Sequence, residues 1–237
     1  MTDWRIRSAG SVTRVKICCM ASIDEAWKAI DLGVSALGFV SKMPSGPGPI
    51  HEDLIAEIVA CVPPGIATFL LTSETTPEPI IAQQRRTRVN TIQLVDRVAK
   101  GTYAALRSAL PGVSIVQVIH VTGSSSLDEA LTAASEVDAL LLDSGNPSLS
   151  VKELGGTGRL HDWSVSRQIR DRSSVPVYLA GGLNPSNAAE AIKRVEPFAL
   201  DVCSGLRTDG LLDPVKAAAF MSEVRKTTYQ QKAAEAK

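Results

Sequence analysis

Cysteine, aromatic residues and long apolar runs are all scarce in this chain, and each scarcity excludes a class of protein. Its 237 residues include four cysteines and only 4% aromatic residues. The cysteines form no CxxC pair and no Cys/His cluster at zinc-ligand spacing, so we expect reduced thiols and no disulfide framework. The longest apolar runs have the length of strands, far short of the ~20 residues that cross a bilayer. A membrane-spanning protein is therefore not expected.

An excess of charge of one sign is also missing, since 25 Lys and Arg balance 25 Asp and Glu. A general nucleic-acid or membrane-surface binder needs a basic surplus, so neither nucleic acid nor a membrane is an expected partner. The first residues lack the apolar core of a signal peptide, which predicts a cytoplasmic protein. Hydrophobic residues, at 44%, are abundant enough to build a large core.

Eight short apolar runs alternate with amphipathic stretches along the chain. The runs are almost continuously apolar, as expected for strands that are covered on both faces. The predicted strands span 15–18, 36–40, 67–71, 91–94, 114–119, 139–142, 177–180 and 199–203. The predicted helices lie at 23–32, around 54–59, and at 78–86, 103–110, 126–135, 163–170, 185–194 and 214–224.

Eight β-then-α units predict a single (β/α)8 TIM barrel over residues 1–237, with 1–13 and 225–237 as peripheral tails. An open doubly wound sheet is the alternative, and the absence of GxGxxG after the first strand counts against it. In a barrel of this kind the active site lies at the carboxyl ends of the strands. This rule reduces the candidate residues to those that directly follow the predicted strands.

Cys18 is the most notable thiol, because it ends the first predicted strand. It is either a general base or nucleophile, if its surroundings lower its pKa, or a buried small hydrophobic residue. Strand alternation predicts that Cys19 points the opposite way, so that only one of the two faces the barrel interior. Cys61, at a helix end, is expected to serve packing.

Two aspartates also fall at or near strand ends. Asp143 follows three leucines and must be solvated, paired or functional, because burying a lone carboxylate is costly; a loop or capping hydrogen bond is the structural alternative. Asp201 lies between apolar residues, and Lys16 is its candidate partner in a buried ion pair. Of the histidines, His120 could reach the site from a strand end. We expect His51 and His161 to be surface or capping residues.

Two glycine-rich turns, at 181–182 and 204–205, follow the last two predicted strands. Glycine lets the backbone approach a ligand closely, and free N–H groups before a helix attract phosphate. Barrels of this kind commonly hold phosphate after their last two strands, so the pair favours a phosphorylated ligand over plain turns. A third loop, which contains Gly156, is a candidate lid or second anion contact.

Six motifs occur in a fixed order: VKICCM at 15–20, ALGFV at 36–40, LLLDS at 140–144, GGTGRLHDW at 155–163, LAGGLNP at 179–185 and DVCSGLR at 201–207. In content, order and spacing, from about Val15 to Val224, they resemble the phosphoribosylanthranilate isomerase family. The resemblance implies an aldose–ketose isomerase of tryptophan biosynthesis that uses no metal or cofactor. Its reaction is the Amadori rearrangement of N-(5-phosphoribosyl)anthranilate to 1-(2-carboxyphenylamino)-1-deoxyribulose 5-phosphate. A monomer or a homodimer is expected.

The resemblance also implies roles for individual residues. Cys18 matches the general base, Asp143 the general acid, and Asp201 an aspartate that faces the substrate. The phosphate-binding candidates are Gly181, Gly182, Ser204 and Gly205, with Gly156 in the third loop. A carboxylic acid with a raised pKa can protonate the furanose oxygen, and a thiolate of near-neutral pKa can then remove the C2 proton.

Three positions depart from the family pattern. Cys19 replaces the glycine of KICG, Gly48 stands where the family has an arginine that contacts the anthranilate, and Val95-Asp96 replaces His-Gly. Arg207 is a candidate substitute for the missing charge. These departures leave two alternatives to the isomerase: an isomerase of another phosphorylated sugar or amino-sugar, and a non-catalytic barrel that binds a phosphorylated ligand.

Overall fold

A closed barrel of eight parallel strands forms the centre of the molecule, with helices around it. The computed structural model describes residues 12–146, 148–149, 151–155 and 158–235. The barrel strands are β1 (Arg14–Ile17), β2 (Ala36–Val40), β3 (Ala67–Thr72), β4 (Thr91–Leu94), β5 (Ser114–His120), β6 (Ala139–Asp143), β7 (Val177–Leu179) and β8 (Ala199–Val202). The predicted (β/α)8 fold is thus confirmed.

The helices follow the strands in strict alternation. They are α1 (Ile23–Asp31), α2 (Glu52–Ala60), α3 (Pro77–Thr87), α4 (Thr102–Ala109), α5 (Ser125–Ala134), α6 (Trp163–Arg172), α7 (Ala188–Val195) and α8 (Pro214–Glu235). After β8, a short 3-10 helix (Ser204–Leu206) and a two-stranded hairpin, β9 (Arg207–Thr208) and β10 (Leu211–Leu212), precede α8. No helix in the described part of the chain is long and apolar enough to cross a membrane.

Hydrogen bonding between the first and last strands closes the barrel. Each of the four β1 residues pairs with β8, from Arg14 opposite Ala199 to Ile17 opposite Val202. The apolar residues then separate into two layers. A large layer lies between strands and helices, and a smaller cluster that includes Phe69, Val116 and Leu141 fills the barrel interior. The continuous apolar pattern of the strands reflects this burial on both faces.

Helix α7 begins at Ala188, three residues later than the sequence predicted. Asn184, which directly precedes the predicted helix, accepts a hydrogen bond from the backbone of Ser186 at 2.9 Å. Asn187 accepts one from the backbone of Asn184, also at 2.9 Å, and donates to the carbonyl of Gly182. Side-chain bonds of this type stabilise a turn in competition with helix, so the helix starts only after them.

The final helix continues to Glu235, whereas the sequence predicted its end at Val224 and a peripheral tail from residue 225. Thr227 and Thr228 are both buried, and Arg225 donates to the carbonyl of Leu32 on the first β/α unit. Because these contacts bury part of the segment against the barrel, residues 225–235 stay helical. Residues 1–11 of the other predicted tail lie outside the described range.

A buried ion pair occupies the interior of the barrel. Lys16 of β1 is fully buried, and its Nζ lies 2.8 Å from Oδ2 of Asp201 on β8, which is the pairing that the sequence suggested. Burial is the largest influence on the pKa of Lys16 and lowers it, but Asp201, Cys18 and Tyr178 together raise it further, so the net shift is upward and the ammonium remains charged. The ring of Phe69 lies 5.1 Å from the same Nζ and adds a cation–π contact.

We expect Lys16→Met to destabilise the protein by about 3–5 kcal/mol, because the change leaves the Asp201 carboxylate buried without its partner. Urea unfolding measures the difference. Lys28→Met is the matched control: Lys28 pairs with Asp24 on an exposed helix face, so its loss should cost about 0.5 kcal/mol or less.

The double variant Lys16→Met, Asp201→Leu should regain most of the lost stability, because it removes both charges. Equal destabilisation in the single and double variants would show that the pairing of charges is not what stabilises this part of the barrel.

Candidate active site

A single cavity at the carboxyl end of the barrel collects most of the residues predicted from the sequence. Side chains and backbone from the loops after β1, β2, β6, β7 and β8 line it. Among the predicted site residues, the lining includes Cys18, Asp143, Gly181, Gly182, Asp201 and Ser204. Gly205 is not part of the lining, and Gly156 lies outside the described residues.

The thiol of Cys18 lies at the floor of this cavity, directly after β1. Its backbone N–H donates to the carbonyl of Val202 at 2.9 Å, which extends the β1–β8 ladder by one bond. Burial raises the pKa of Cys18 to about 11, although the nearby Lys16 ammonium opposes this shift. In this structure the thiol is therefore protonated near neutral pH, because its surroundings raise its pKa and do not lower it.

Gly38 of β2 provides the space for both Cys18 and Lys16. A Cβ at this position would lie 2.7 Å from the Cys18 sulfur and 3.0 Å from the Lys16 Nζ. Real side chains do not approach so closely, so only glycine leaves both groups in place. The glycine of the ALGFV motif thus has a steric role at the reactive thiol.

Cys19 also lines the cavity, contrary to the prediction that it would face away from the interior. Its φ of +65° is left-handed, so strand alternation ends before this residue. Glycine adopts this conformation without steric cost, which explains the glycine of KICG. The sulfur of Cys19 is bonded to that of Cys203, so the expectation of reduced thiols is wrong for this pair. Cys18 and Cys61 are free, and Cys61 is exposed at the end of α2, not packed.

The carboxyl group of Asp143 enters the cavity from the end of β6. Its Oδ1 accepts the backbone N–H of Ser144 at 2.7 Å, and the side chain is only 8% exposed. Gly155 packs directly over it, because a Cβ there would lie 2.7 Å from Oδ2. Burial raises the pKa of Asp143, and the nearby Asp201 adds to the effect, while the hydrogen bond from Ser144 opposes it. Burial and the nearby Asp201 charge both favour the protonated form of Asp143.

Two buried acceptors in the cavity wall have no hydrogen-bond partner in the described part of the chain. One is Oδ1 of Asp201, whose Oδ2 is held by Lys16, and the other is Oε1 of Gln93 on β4. Unpaired buried acceptors are rare and often mark ligand contacts. Gln93 was not among the candidate residues predicted from the sequence, although its polarity inside an apolar strand was an available signal.

The glycine turn after β7 packs against the loop that follows β6. Gly181 and Gly182 both have positive φ, at +81° and +63°. A Cβ on Gly182 would lie 2.9 Å from the backbone oxygen of Arg159, so a side chain at this position is excluded twice over. Gly205 has a different role. A Cβ at this position would lie 1.9 Å from the carbonyl oxygen of Leu183, so only glycine, which has no Cβ, lets the turn after β8 pack on the turn after β7.

The rest of the described lining is largely apolar. It includes Val40, Met43, Leu71, Val95 and Leu154, and no Lys or Arg side chain belongs to the described lining. Arg207, the candidate substitute charge, is instead paired with Glu25 and donates to the backbone carbonyls of Cys18 and Cys19. Arg207 therefore stabilises the loop after β1 and does not add a charge to the cavity lining.

Gly48 cannot be replaced by a larger residue in this arrangement. Its φ is +86°, and a Cβ would lie 2.7 Å from the Cβ of Cys19. The side chain of Cys19 therefore occupies the space into which residue 48 would project. The two departures from the family pattern are coupled by this contact.

The three histidines lie outside the described lining. His120 is buried with Nε2 2.9 Å from the carbonyl of Val95, so it faces a neighbouring loop. His51 is exposed and caps α2, as expected. His161 is partly buried against Ser166, and burial lowers its pKa to about 4. None of them contributes a proton donor or acceptor to the cavity.

The arrangement provides a buried acid and a buried thiol that line the same cavity, beside a rim formed by the turns after β7 and β8. Such a site can move protons between carbon and oxygen atoms of a ligand whose anionic end is held at the rim. The described residues contain no cluster of three or more His, Cys, Asp or Glu side chains that could hold a metal ion.

Comparison with known proteins identifies the family to which this chain belongs. Residues 15–223 match the family model described as N-(5'phosphoribosyl)anthranilate (PRA) isomerase. The N-(5'-phosphoribosyl)anthranilate isomerase of Methanocella arvoryzae is 32% identical over 217 residues, which cover 91% of this chain and 100% of that protein.

Two solved structures extend the likeness to the fold. Phosphoribosyl anthranilate isomerase from Thermotoga maritima has a TM-score of 0.76 and 27% identity, covering 90% of this chain and 99% of that one. A phosphoribosyl anthranilate isomerase in complex with reduced 1-(o-carboxyphenylamino)-1-deoxyribulose 5-phosphate has a TM-score of 0.73 and 26% identity, with the same coverage. The family match over nearly the whole chain, together with these relatives, means that this chain belongs to the N-(5'-phosphoribosyl)anthranilate isomerase family.

Proposed function

We propose that this chain catalyses the Amadori rearrangement of N-(5-phosphoribosyl)anthranilate in tryptophan biosynthesis, with Cys18 as general base and Asp143 as general acid. The observation that carries the proposal is that both side chains, from opposite parts of the chain, line one cavity at the carboxyl end of the barrel. Each is buried, and neither points among the surrounding helices.

The phosphate of the substrate is assigned to the rim formed by the turns after β7 and β8. Gly181, Gly182 and Ser204 line the cavity there, and glycine lets the backbone approach a ligand closely. Because the described lining has no Lys or Arg, backbone and hydroxyl donors would carry the binding. Gly156 remains a predicted second contact, and Gly205 supports the rim through its packing on Leu183.

The anthranilate ring fits the apolar side of the cavity. Met43, Leu71, Val95 and Leu154 form a wall on which an aromatic ring can pack. The unpartnered oxygens of Gln93 and Asp201 are placed to accept hydrogen bonds from the sugar hydroxyls or the anilino N–H. These contacts support an aromatic aglycone even though Gly48 brings no positive charge.

The reaction then needs two proton transfers. Asp143, whose pKa is raised by burial, donates a proton to the furanose oxygen, and the ring opens to a Schiff base. The C2 proton of that Schiff base is acidic, and Cys18 removes it to give an enamine. Only the ionised fraction of Cys18 acts as the base, and this fraction is small near neutral pH because burial raises the pKa of the thiol to about 11. Tautomerisation of the enamine yields the ketose product. The Lys16 ammonium, next to Cys18, stabilises the thiolate when it forms.

The family of the chain supports the class of substrate but not the oligomeric state or the cellular location. A phosphorylated small-molecule substrate follows from the family, whereas the oligomeric state and the location stay predictions. An isomerase of another phosphorylated sugar would share the rim and the proton donors. Competition assays with other pentose phosphates distinguish it from the proposed activity.

Purified protein should isomerise freshly made N-(5-phosphoribosyl)anthranilate, and the loss of the substrate's anthranilate fluorescence follows the reaction. Cys18→Ala and Asp143→Asn should each lower kcat about 10²- to 10⁴-fold, the usual contribution of a general base or acid. Cys61→Ser is the control and should keep the normal rate, since Cys61 is exposed and far from the lining.

Circular dichroism of each variant should match the parent, which separates chemistry from folding. No turnover by the parent protein would contradict the proposed activity. A Cys18→Ala or Asp143→Asn variant with a normal rate would overturn that residue's role alone.

The alkaline side of the pH profile should be flat until high pH. A rate that needs protonated Asp143 and ionised Cys18 depends on the product of the two fractions, and this product falls only above the higher of the two pKa values. That value is at least the pKa of Cys18, about 11. We therefore expect kcat/KM to show no decline as the pH rises to about pH 10. A decline centred near pH 8.5 would contradict the protonation state assigned to the thiol.

A further inference from the structure

A disulfide joins the two ends of the barrel seam at the cavity. It links Cys19, after β1, to Cys203, after β8, over a sequence separation of 184 residues and a Cα–Cα distance of 6.1 Å. Both residues line the same cavity as Cys18 and Asp143. The proton-transfer steps proposed above use neither sulfur, so the bond requires another explanation.

The Cys19 side of this bond is firmly held by the protein. Arg207 donates to the carbonyl of Cys19 and is itself paired with Glu25, and both charged side chains are nearly buried. Gly48 packs against the Cys19 Cβ on the opposite side. The left-handed backbone of Cys19 persists in this setting because its neighbours over-determine it.

The Cys203 side leads directly into the proposed phosphate rim. Cys203 precedes the 3-10 helix Ser204–Leu206, and Ser204 is exposed and lines the cavity. Without the disulfide, backbone contacts of Leu206 with Cys203 and of Gly205 with Leu183 hold this short turn. The covalent bond thus ties the start of the phosphate turn to the most firmly held point of the β1 loop.

We propose that Cys19 and Cys203 form a reversible thiol–disulfide switch that positions the Ser204–Gly205 turn for the phosphate of the substrate. The proposal rests on the proposed function for the identity of that ligand. In the oxidised state the turn is ordered before binding, so less conformational entropy is lost when phosphate binds. Reduction releases the turn and weakens phosphate binding without altering the proton-transfer groups.

A dithiol reductant supplies the two electrons that are needed to reduce the disulfide. Its thiolate attacks the sulfur of Cys203, which is the more accessible of the two because Cys19 is only 5% exposed. The Cys19–Cys203 bond breaks, its electron pair leaves on the Cys19 sulfur, and a mixed disulfide forms on Cys203. The second thiol of the reductant then attacks the reductant's other sulfur, which is bonded to Cys203, and so closes the reductant's own disulfide and releases the Cys203 thiol. Two electrons and two protons pass from the dithiol to the protein, and a low-molecular-weight disulfide reverses the reaction.

Thiol counting tests the bond independently of activity. Alkylation under denaturing conditions, followed by peptide mass mapping, should find two free cysteines in the oxidised protein, Cys18 and Cys61. After dithiothreitol treatment it should find all four cysteines of the chain. Four free cysteines after treatment with oxidised glutathione would overturn the proposal.

Kinetics and phosphate binding test the consequence of the bond. Reduction should raise KM for N-(5-phosphoribosyl)anthranilate and the Kd for inorganic phosphate about three- to tenfold, while kcat changes less than about twofold. Cys203→Ser and Cys19→Gly should behave like the reduced protein in both conditions and lose the response to dithiothreitol. Cys61→Ser should keep the full response, which shows that the exposed thiol is not responsible.

The outcomes separate this inference from the proposed function. Equal KM and equal phosphate Kd in the two states, with the disulfide verified by thiol counting, would overturn the switch and leave the isomerase intact. A protein without isomerase activity that still binds phosphate more tightly when oxidised would support the switch and contradict the proposed reaction. A loss of kcat with unchanged KM on reduction would also overturn the proposal, because the bond would then act on the chemistry and not on the phosphate turn.

Discussion

The ion pair between Lys16 and Asp201 is the interaction on which the site depends. It is enclosed by the barrel and joins β1 to β8, the two strands whose pairing closes the sheet. A charged pair at this depth is stable only if its geometry is maintained, so the strand positions around it are tightly constrained. Cys18 follows two residues after Lys16 and takes its electrostatic environment from this pair.

Above this ion pair, different parts of the cavity are formed by different kinds of chemical groups. Buried charged and acidic groups lie at the strand ends, and glycine turns form the rim. An apolar wall that includes Met43 and Leu154 faces the cavity between them. This division agrees with the family of the chain, whose substrate joins a phosphate, a sugar and an aromatic ring. It also explains why only part of the family pattern is altered, since the aromatic side can change while the floor and rim are retained.

The sequence predicted the fold and most of the site because both follow from regular patterns. Continuous apolar runs identified all eight strands, and the carboxyl-end rule then selected Cys18, Asp143 and the glycine turns. The failures occur where the regular pattern ends. Alternation misplaced Cys19 because its backbone is left-handed, and the bond to Cys203 depends on β1 and β8 being neighbours, which only barrel closure establishes. The protonation of Cys18 depends on burial depth, which periodicity does not measure.

The contact between Cys19 and Gly48 limits the order in which this protein could have changed over time. A bulky residue at position 48 and any side chain beyond hydrogen at position 19 exclude each other, since a Cβ on Gly48 would lie 2.7 Å from that of Cys19. With this backbone, an arginine at position 48 therefore requires glycine at position 19. Replacement of Gly48 alone is sterically excluded, so the two positions can change only together or in one order.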